Sequence, residues 1–85
     1  MINAQQTSID AYYSLINLSG KRKEVYDAIN SLETACNLDI AYYLKWSINR
    51  ITPRVKELRE LDLVEEDRRA KTFRTGKTVI YWKIK

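Results

Sequence analysis

The chain has 85 residues, 45% of them hydrophobic and 31% charged, with a formal net charge of +4, so a single small domain is expected rather than two. With no histidine and one cysteine, Cys36, the chain cannot assemble a disulfide framework, a Cys/His zinc site or a histidine-based triad, and its two glycines, Gly20 and Gly76, exclude a glycine-rich phosphate loop. The apolar runs fall far short of the ~20 residues that cross a bilayer, and residues 1–20 lack the basic start and apolar stretch of a signal peptide, so a cytoplasmic protein with no membrane contact is expected.

The first predicted element is a short helix capped by Thr7 or Ser8, running to about Asn17, with Ile9, Tyr12, Tyr13 and Ile16 on its apolar face. Asn17-Leu18-Ser19 matches a glycosylation acceptor and is read as chance in a chain without an export signal. Ser19 then caps a second helix over 21–32, where Val25, Tyr26, Ile29 and Leu32 fall at helical spacing. The periodicity breaks at Thr34-Ala35-Cys36-Asn37. A helix of about two turns follows over 38–44, started by Asn37 or Cys36, with Ile40, Ala41 and Leu44 as its buried stripe.

Trp46 reads as an apolar plug after that short helix, and Ser47 as the cap of the next. From there Ile48, Ile51, Val55, Leu58 and Leu61 trace one buried stripe on a longer helix. Pro53 leaves two readings open: a helix from Ile48 that tolerates the proline, or a turn followed by a helix that begins at Pro53. Leu63 to Glu66 then changes to strand period. Thr78 to Ile84 is the strongest strand, with Ile80, Trp82 and Ile84 facing the helices and Val79, Tyr81 and Lys83 facing away. A tight turn at Thr75-Gly76 would carry the partners of 63–66 past the last residue, so the hairpin requires a bulge or a longer disordered tip.

Charge is spread unevenly along these elements. Residues 1–45 hold four basic side chains against five acidic ones; residues 46–85 hold eleven against six, and no acid follows Asp67. The acids from Glu57 to Asp67 are interleaved with basic residues, the pattern of a solvated mixed-charge face rather than of a carboxylate catalyst. No enzyme activity, cofactor or metal is expected. The one-ended positive field attracts polyanions, nucleic acid before an acidic membrane surface.

Helix, short helix, turn, longer helix and basic hairpin in that order make the winged helix-turn-helix plan. The expected fold is α+β, mostly helical, with three to four helices and a C-terminal two-stranded wing, as one domain over 1–85 with 1–18 as a helical extension. A short helix braces a longer one through Ile40, Ala41 and Leu44 against Ile48, Ile51 and Val55, leaving the longer helix, about 48–61, free to enter a major groove. Its polar face supplies Ser47, Asn49, Arg50, Thr52, Arg54 and Lys56. Arginine suits guanine edges or phosphates, asparagine suits adenine, and threonine suits either. Arg50 and Arg54 can instead pair with Glu57 or Glu60. Arg68, Arg69, Lys71, Arg74 and Lys77, in a wing over 68–77, are candidate phosphate contacts.

The span from Asn37 to Glu66, above all Trp46-Ser47-Ile48-Asn49-Arg50-Ile51-Thr52, resembles small winged-helix DNA-binding proteins of phages and other mobile elements. More distantly it resembles regulators of the multiple-antibiotic-resistance type. The likeness continues through Lys71 to Trp82, including Thr75-Gly76-Lys77-Thr78, and covers about 21–84. It departs at Lys45, where a glycine is frequent and a left-handed backbone is needed, and at Ser47, where a proline is frequent. The resemblance implies double-stranded DNA as partner, bound sequence-specifically or architecturally, in a transcriptional or replication-associated role.

The other function class is a protein-binding adaptor without DNA contact, motivated by the mixed charges over 57–67. Single-stranded nucleic acid, stacked on Phe73, Tyr81 or Trp82, is a third reading. A homodimer through the N-terminal helix would set two reading helices about 34 Å apart and predict a palindromic site. Cys36 reads as a small residue at a helix start, with only the helix end to lower its pKa.

Overall fold

The computed structural model describes residues 20–85; the helix expected over 7–17, its cap and the Ser19 cap lie outside the described residues. Three helices, α1 (Gly20–Leu32), α2 (Asn37–Leu44) and α3 (Ile48–Glu60), precede the strands β1 (Val64–Lys71) and β2 (Thr78–Ile84). The strands form a two-stranded antiparallel sheet. No described helix is long and apolar enough to cross a membrane.

Helical periodicity fixes which faces meet. Val25, Ala28 and Ile29 of α1, Ile40 and Ala41 of α2, and Ile51, Val55 and Leu58 of α3 form one buried cluster with Leu63, Val64 and Trp82. Tyr26, Leu32, Leu44, Trp46, Ile48, Ile80 and Ile84 pack around its edge, so Trp46 plugs the core without being sealed in it. Leu61 departs from the expected stripe. The helix ends at Glu60, and Leu61 turns outward, 42% exposed, while Leu63 is buried in its place.

Each helix ends on a bend made without glycine. Glu33, Lys45 and Asp62 hold φ of 69°, 61° and 65°, the left-handed region that costs an ordinary side chain roughly 1–2 kcal/mol. Lys45 follows α2 in this state, with its N–H on the carbonyl of Ala41, and Trp46 N–H reaches the same carbonyl at 3.0 Å. Two donors on one acceptor close the helix and turn the chain sharply into α3. The lysine at this turn therefore takes the backbone state that its position demands.

The longer helix begins at Ile48 and runs through Pro53. Proline donates nothing to the carbonyl of Asn49, one turn back. Both residues lie on the exposed side, where water can satisfy that oxygen. Ser47 occupies the cap position with extended backbone, but its hydroxyl makes no capping bond. The entry is closed instead by Arg50 N–H on the Ser47 carbonyl at 3.0 Å, correcting the expected side-chain cap. Cys36 precedes α2 with the same extended backbone, but its entry is closed by a side chain, the Cys36 N–H donating to Asp39 Oδ2 at 3.3 Å. Burial pushes the Cys36 thiol above its ordinary pKa, outweighing the helix end.

The hairpin pairs Val64 with Ile84 at its base and Lys71 with Thr78 at its outer end, and its register slips by one residue between Glu66 and Arg68. The expected bulge is therefore at Asp67. The wing begins earlier than expected: Arg68, Arg69 and Lys71 belong to β1 rather than to a loop. The tip is not a two-residue turn at Thr75-Gly76. Thr72 N–H bonds the Lys77 carbonyl at 3.0 Å and encloses four residues, with Gly76 at φ 73° supplying the left-handed step.

A third piece of sheet escaped sequence reasoning. Ala35, between α1 and α2, forms an isolated bridge with Trp82, through Ala35 N–H to the Trp82 carbonyl at 3.0 Å and Trp82 N–H to the Ala35 carbonyl at 2.8 Å. One residue cannot show strand periodicity, so no pattern announces it. The bridge ties the wing's base to the start of the short helix.

Candidate nucleic-acid interface

The outward side of α3 is set by the burial of Ile51, Val55 and Leu58 on the other. Asn49, Arg50, Thr52, Pro53 and Lys56 are exposed, and Ser47 stands exposed just ahead of them. No acid interrupts this stretch before Glu57. The Arg50 guanidinium lies 4.8 Å over the Trp46 ring, a contact that holds the side chain on the surface without cancelling its charge. Lys56 makes no ion pair among the described residues.

Arg54 and Thr52 are partly committed within the molecule. Arg54 Nε lies 2.9 Å from Glu57 Oε1, off the line of its N–H, while its Nη2 donates to Oε2 at 3.3 Å. Arg22 of α1 donates to the same carboxylate at 2.8 Å. This clasp joins α1 to α3, and the Arg22 hydrogen bond, helped by the charge of Arg54, holds the Glu57 carboxyl below its ordinary pKa. Thr52 Oγ1 donates to the Ile48 carbonyl at 3.3 Å and faces Asn37 Nδ2 at 3.5 Å. The pairing of Arg54 with Glu57, one of two readings of the sequence, is the one that forms.

Beside the clasp, Lys21 from the start of α1 meets Asn49, Arg50, Pro53 and Arg54 around a shallow cleft of about 190 Å³. Three cations and an amide from two helices thus converge where Glu57 is the neighbouring counter-charge. Lys21 was not among the sequence-predicted site residues. It belongs to a different helix, with all of α2 between it and α3, and no local spacing links them.

The wing's charges divide into paired and unpaired. Arg68 bonds Asp67 at 2.7 Å and lies 4.4 Å over Tyr81; Arg69 bonds Glu66 at 3.2 Å. Arg74, on the tip, reaches across to α2. Its Nε donates to Asp39 Oδ1 at 3.1 Å, and its guanidinium lies 3.9 Å over the Tyr42 ring. Lys71 and Lys77 are exposed and make no ion pair among the described residues. The acids over 57–67 are occupied as well, Glu60 excepted: Asp62 bonds Lys85, and Lys83 lies 3.8 Å from both Glu65 and Asp67. Among the described residues Lys21, Lys45, Arg50, Lys56, Arg59, Lys71 and Lys77 are left without an ion pair, and these set the uncompensated positive surface.

Asn37 is the positioning residue that sequence reasoning took only as a helix start. Its Oδ1 accepts from Trp82 Nε1 at 2.9 Å while its Nδ2 faces Thr52. One side chain thus fixes the wing, α2 and α3 relative to one another. Among the described residues no group of three or more His, Cys, Asp or Glu side chains could hold a metal ion.

The sequence matches no protein-family model and no curated protein. Solved structures do match. A double mutant of ZitR from Lactococcus lactis aligns over 80% of this chain at 22% identity with a TM-score of 0.58; the apo form of that mutant aligns over 96% at 18% and 0.54. The adhesin competence repressor AdcR from Streptococcus pyogenes aligns over 98% of this chain at 18% identity with a TM-score of 0.60. The chain covers 43%, 58% and 63% of those three structures, in each case less than two thirds of their length. Element order, the braced third helix and the bulged C-terminal hairpin, together with these likenesses, establish a winged helix-turn-helix fold.

Proposed function

We propose that the chain binds double-stranded DNA as a small regulator of transcription or replication, with α3 in the major groove and the hairpin along the neighbouring backbone or minor groove. The observation that carries this is the exposed face of α3, where Asn49, Arg50, Thr52 and Lys56 stand without an acid among them. Lys21, Lys71 and Lys77 extend the unpaired charge to the start of α1 and to the wing. The likeness to AdcR, a repressor by name, supports the regulatory part of the reading. Arg50 and Asn49 are the base-reading candidates, Ser47 and Thr52 smaller polar contacts, and Lys21, Lys56, Lys71 and Lys77 phosphate contacts. Arg54, Arg68, Arg69 and Arg74 would have to leave or share an internal partner to serve, so their share is smaller. A dimer through residues 1–18 would bind a palindrome, whose symmetry a selection from a random duplex pool reads directly.

A salt titration of duplex affinity tests the proposal. With about four neutralised phosphates, log affinity should fall with log salt at a slope of about −3.6. Absence of duplex binding at low salt overturns it.

The adaptor reading retains one supporting observation. Leu38, Ala41, Tyr42, Lys45, Trp46 and Ile48 line an apolar cleft of about 380 Å³, with Tyr42 63% exposed at its rim. Capture of a protein that survives nuclease and high salt, and is unchanged by R50E, would favour it.

A further inference from the structure

The tip of the wing carries Phe73 with 86% of its surface exposed, the most exposed large apolar side chain among the described residues. Its surroundings are not those of a loose loop. Thr72, immediately before it, is 1% exposed and bonded on both sides: its N–H donates to the Lys77 carbonyl at 3.0 Å, and its carbonyl accepts from Gly76 N–H at 2.8 Å. Its hydroxyl accepts from Arg74 N–H at 3.3 Å, and Thr75 Oγ1 accepts from Lys77 N–H at 3.3 Å. Arg74, immediately after Phe73, is pinned to Asp39 and Tyr42 of α2. The aromatic ring is thus bracketed by a buried residue and an anchored one, and held out into water.

Water is an unfavourable destination for so large an apolar group. The stacking available to it within the described residues is partial, with the Arg74 guanidinium 4.9 Å from its centroid. The partner that suits it must accept an apolar ring and must also suit Lys71 and Lys77, the unpaired cations on either side of the loop. A base step between two phosphate chains meets both conditions, whereas an apolar protein pocket meets only the first. Resting on the DNA reading above, we propose that Phe73 is a wedge that enters between adjacent base pairs from the minor groove and opens the step, while the flanking lysines hold the two backbones. The rigid tip matters to this role, since a wedge on a mobile loop would have to be ordered before it could unstack anything.

The test uses the full chain with three probes: a short duplex, the same duplex with two adjacent mismatches where the stack is already weakened, and one of its single strands. Wild type should prefer the mismatched duplex by about tenfold, F73L should keep part of that preference, and F73A should bind both duplexes within about twofold, with the salt slope the same for all three proteins. Because the side chain is exposed, none of these variants threatens the fold. Equal binding of both duplexes by wild type, or a preference kept by F73A, overturns the wedge while leaving the DNA reading standing. An equal loss by F73A on the single strand assigns the ring to stacking on unpaired bases and also overturns it. If wild type binds no duplex at low salt, the DNA reading fails and the wedge with it.

Discussion

The outer face of α3 and the β-hairpin both carry several cations, yet the structure treats them differently. On α3, Arg50 and Lys56 face solvent without an acid partner. On the hairpin, Arg68, Arg69 and Arg74 each reach a carboxylate within 3.2 Å. Net charge per segment, which ranks the hairpin first, therefore misjudges where a polyanion is attracted. What matters is charge left over after internal pairing, and that brings the hairpin, with Lys71 and Lys77, level with α3, with Arg50, Lys56 and Arg59 against Glu60, while Lys21 adds to the α3 side. A paired arginine is not idle. Arg74 ties the tip to α2, and the Arg22–Glu57–Arg54 clasp ties α1 to α3.

That contrast can be broken by changing charge on each side. R50E combined with K56E should lower duplex affinity at least about tenfold and make the salt slope shallower by about one, whereas R68A with R69A should change affinity by less than about threefold. Fluorescence anisotropy over a salt series reads both. Equal losses would show that internal pairing does not mask the wing. The next effect concerns the joint between the two regions. N37A leaves Trp82 Nε1 without its partner in a residue only 5% exposed, and should cost about 1–3 kcal/mol by urea unfolding.

Two smaller effects sharpen the comparison. K45G removes the left-handed penalty at the turn, offset by the greater freedom of glycine when unfolded, and should stabilise by about 1 kcal/mol or less while deleting one unpaired cation. A rise in melting temperature with a slightly weaker salt slope would separate fold from charge at one position. Least is the acid response of the Arg22–Glu57–Arg54 clasp. Since the folded state lowers the Glu57 pKa, its contribution is present above the ordinary carboxylate range and is lost as pH falls through the depressed value. Partly exposed, the clasp should be worth well under about 1 kcal/mol, and E57Q should remove that part of the low-pH decline in stability.

Elements and their facing sides were legible because they repeat. Val25 with Ile29, Ile40 with Ala41, and Ile51, Val55 and Leu58 each mark a face by spacing alone, and strand alternation places Trp82 inward. The need for a bulge or a longer tip was legible by counting, because strict pairing outward from Thr75-Gly76 outruns the residues of β2; that the tip is ordered, bonded through Thr72, Arg74, Gly76 and Lys77, was not. The site was legible only in part. Asn49, Arg50, Thr52 and Lys56 lie on the exposed face as the period requires. Three facts came from contacts distant in sequence: Arg74 on Asp39, Arg22 on Glu57, and Asn37 under Trp82, separated by 35, 35 and 45 positions. A periodic pattern reports what an element does with its own neighbours, and such cross-links lie outside it. Leu61 failed for the opposite reason: the period continued through a residue at which the helix had already ended.

The bulge at Asp67 also bears on how the chain behaves when crowded. The outer edge of β1 has no sheet neighbour among the described residues, and an unpaired strand edge is a template on which other copies can add. Here that edge is written Glu65-Glu66-Asp67-Arg68-Arg69, and it is interrupted at its middle by the extra residue. Consecutive charges of both signs, and a break in the ladder, deny an incoming strand the flat, regular row of bonds that fibrous assembly requires.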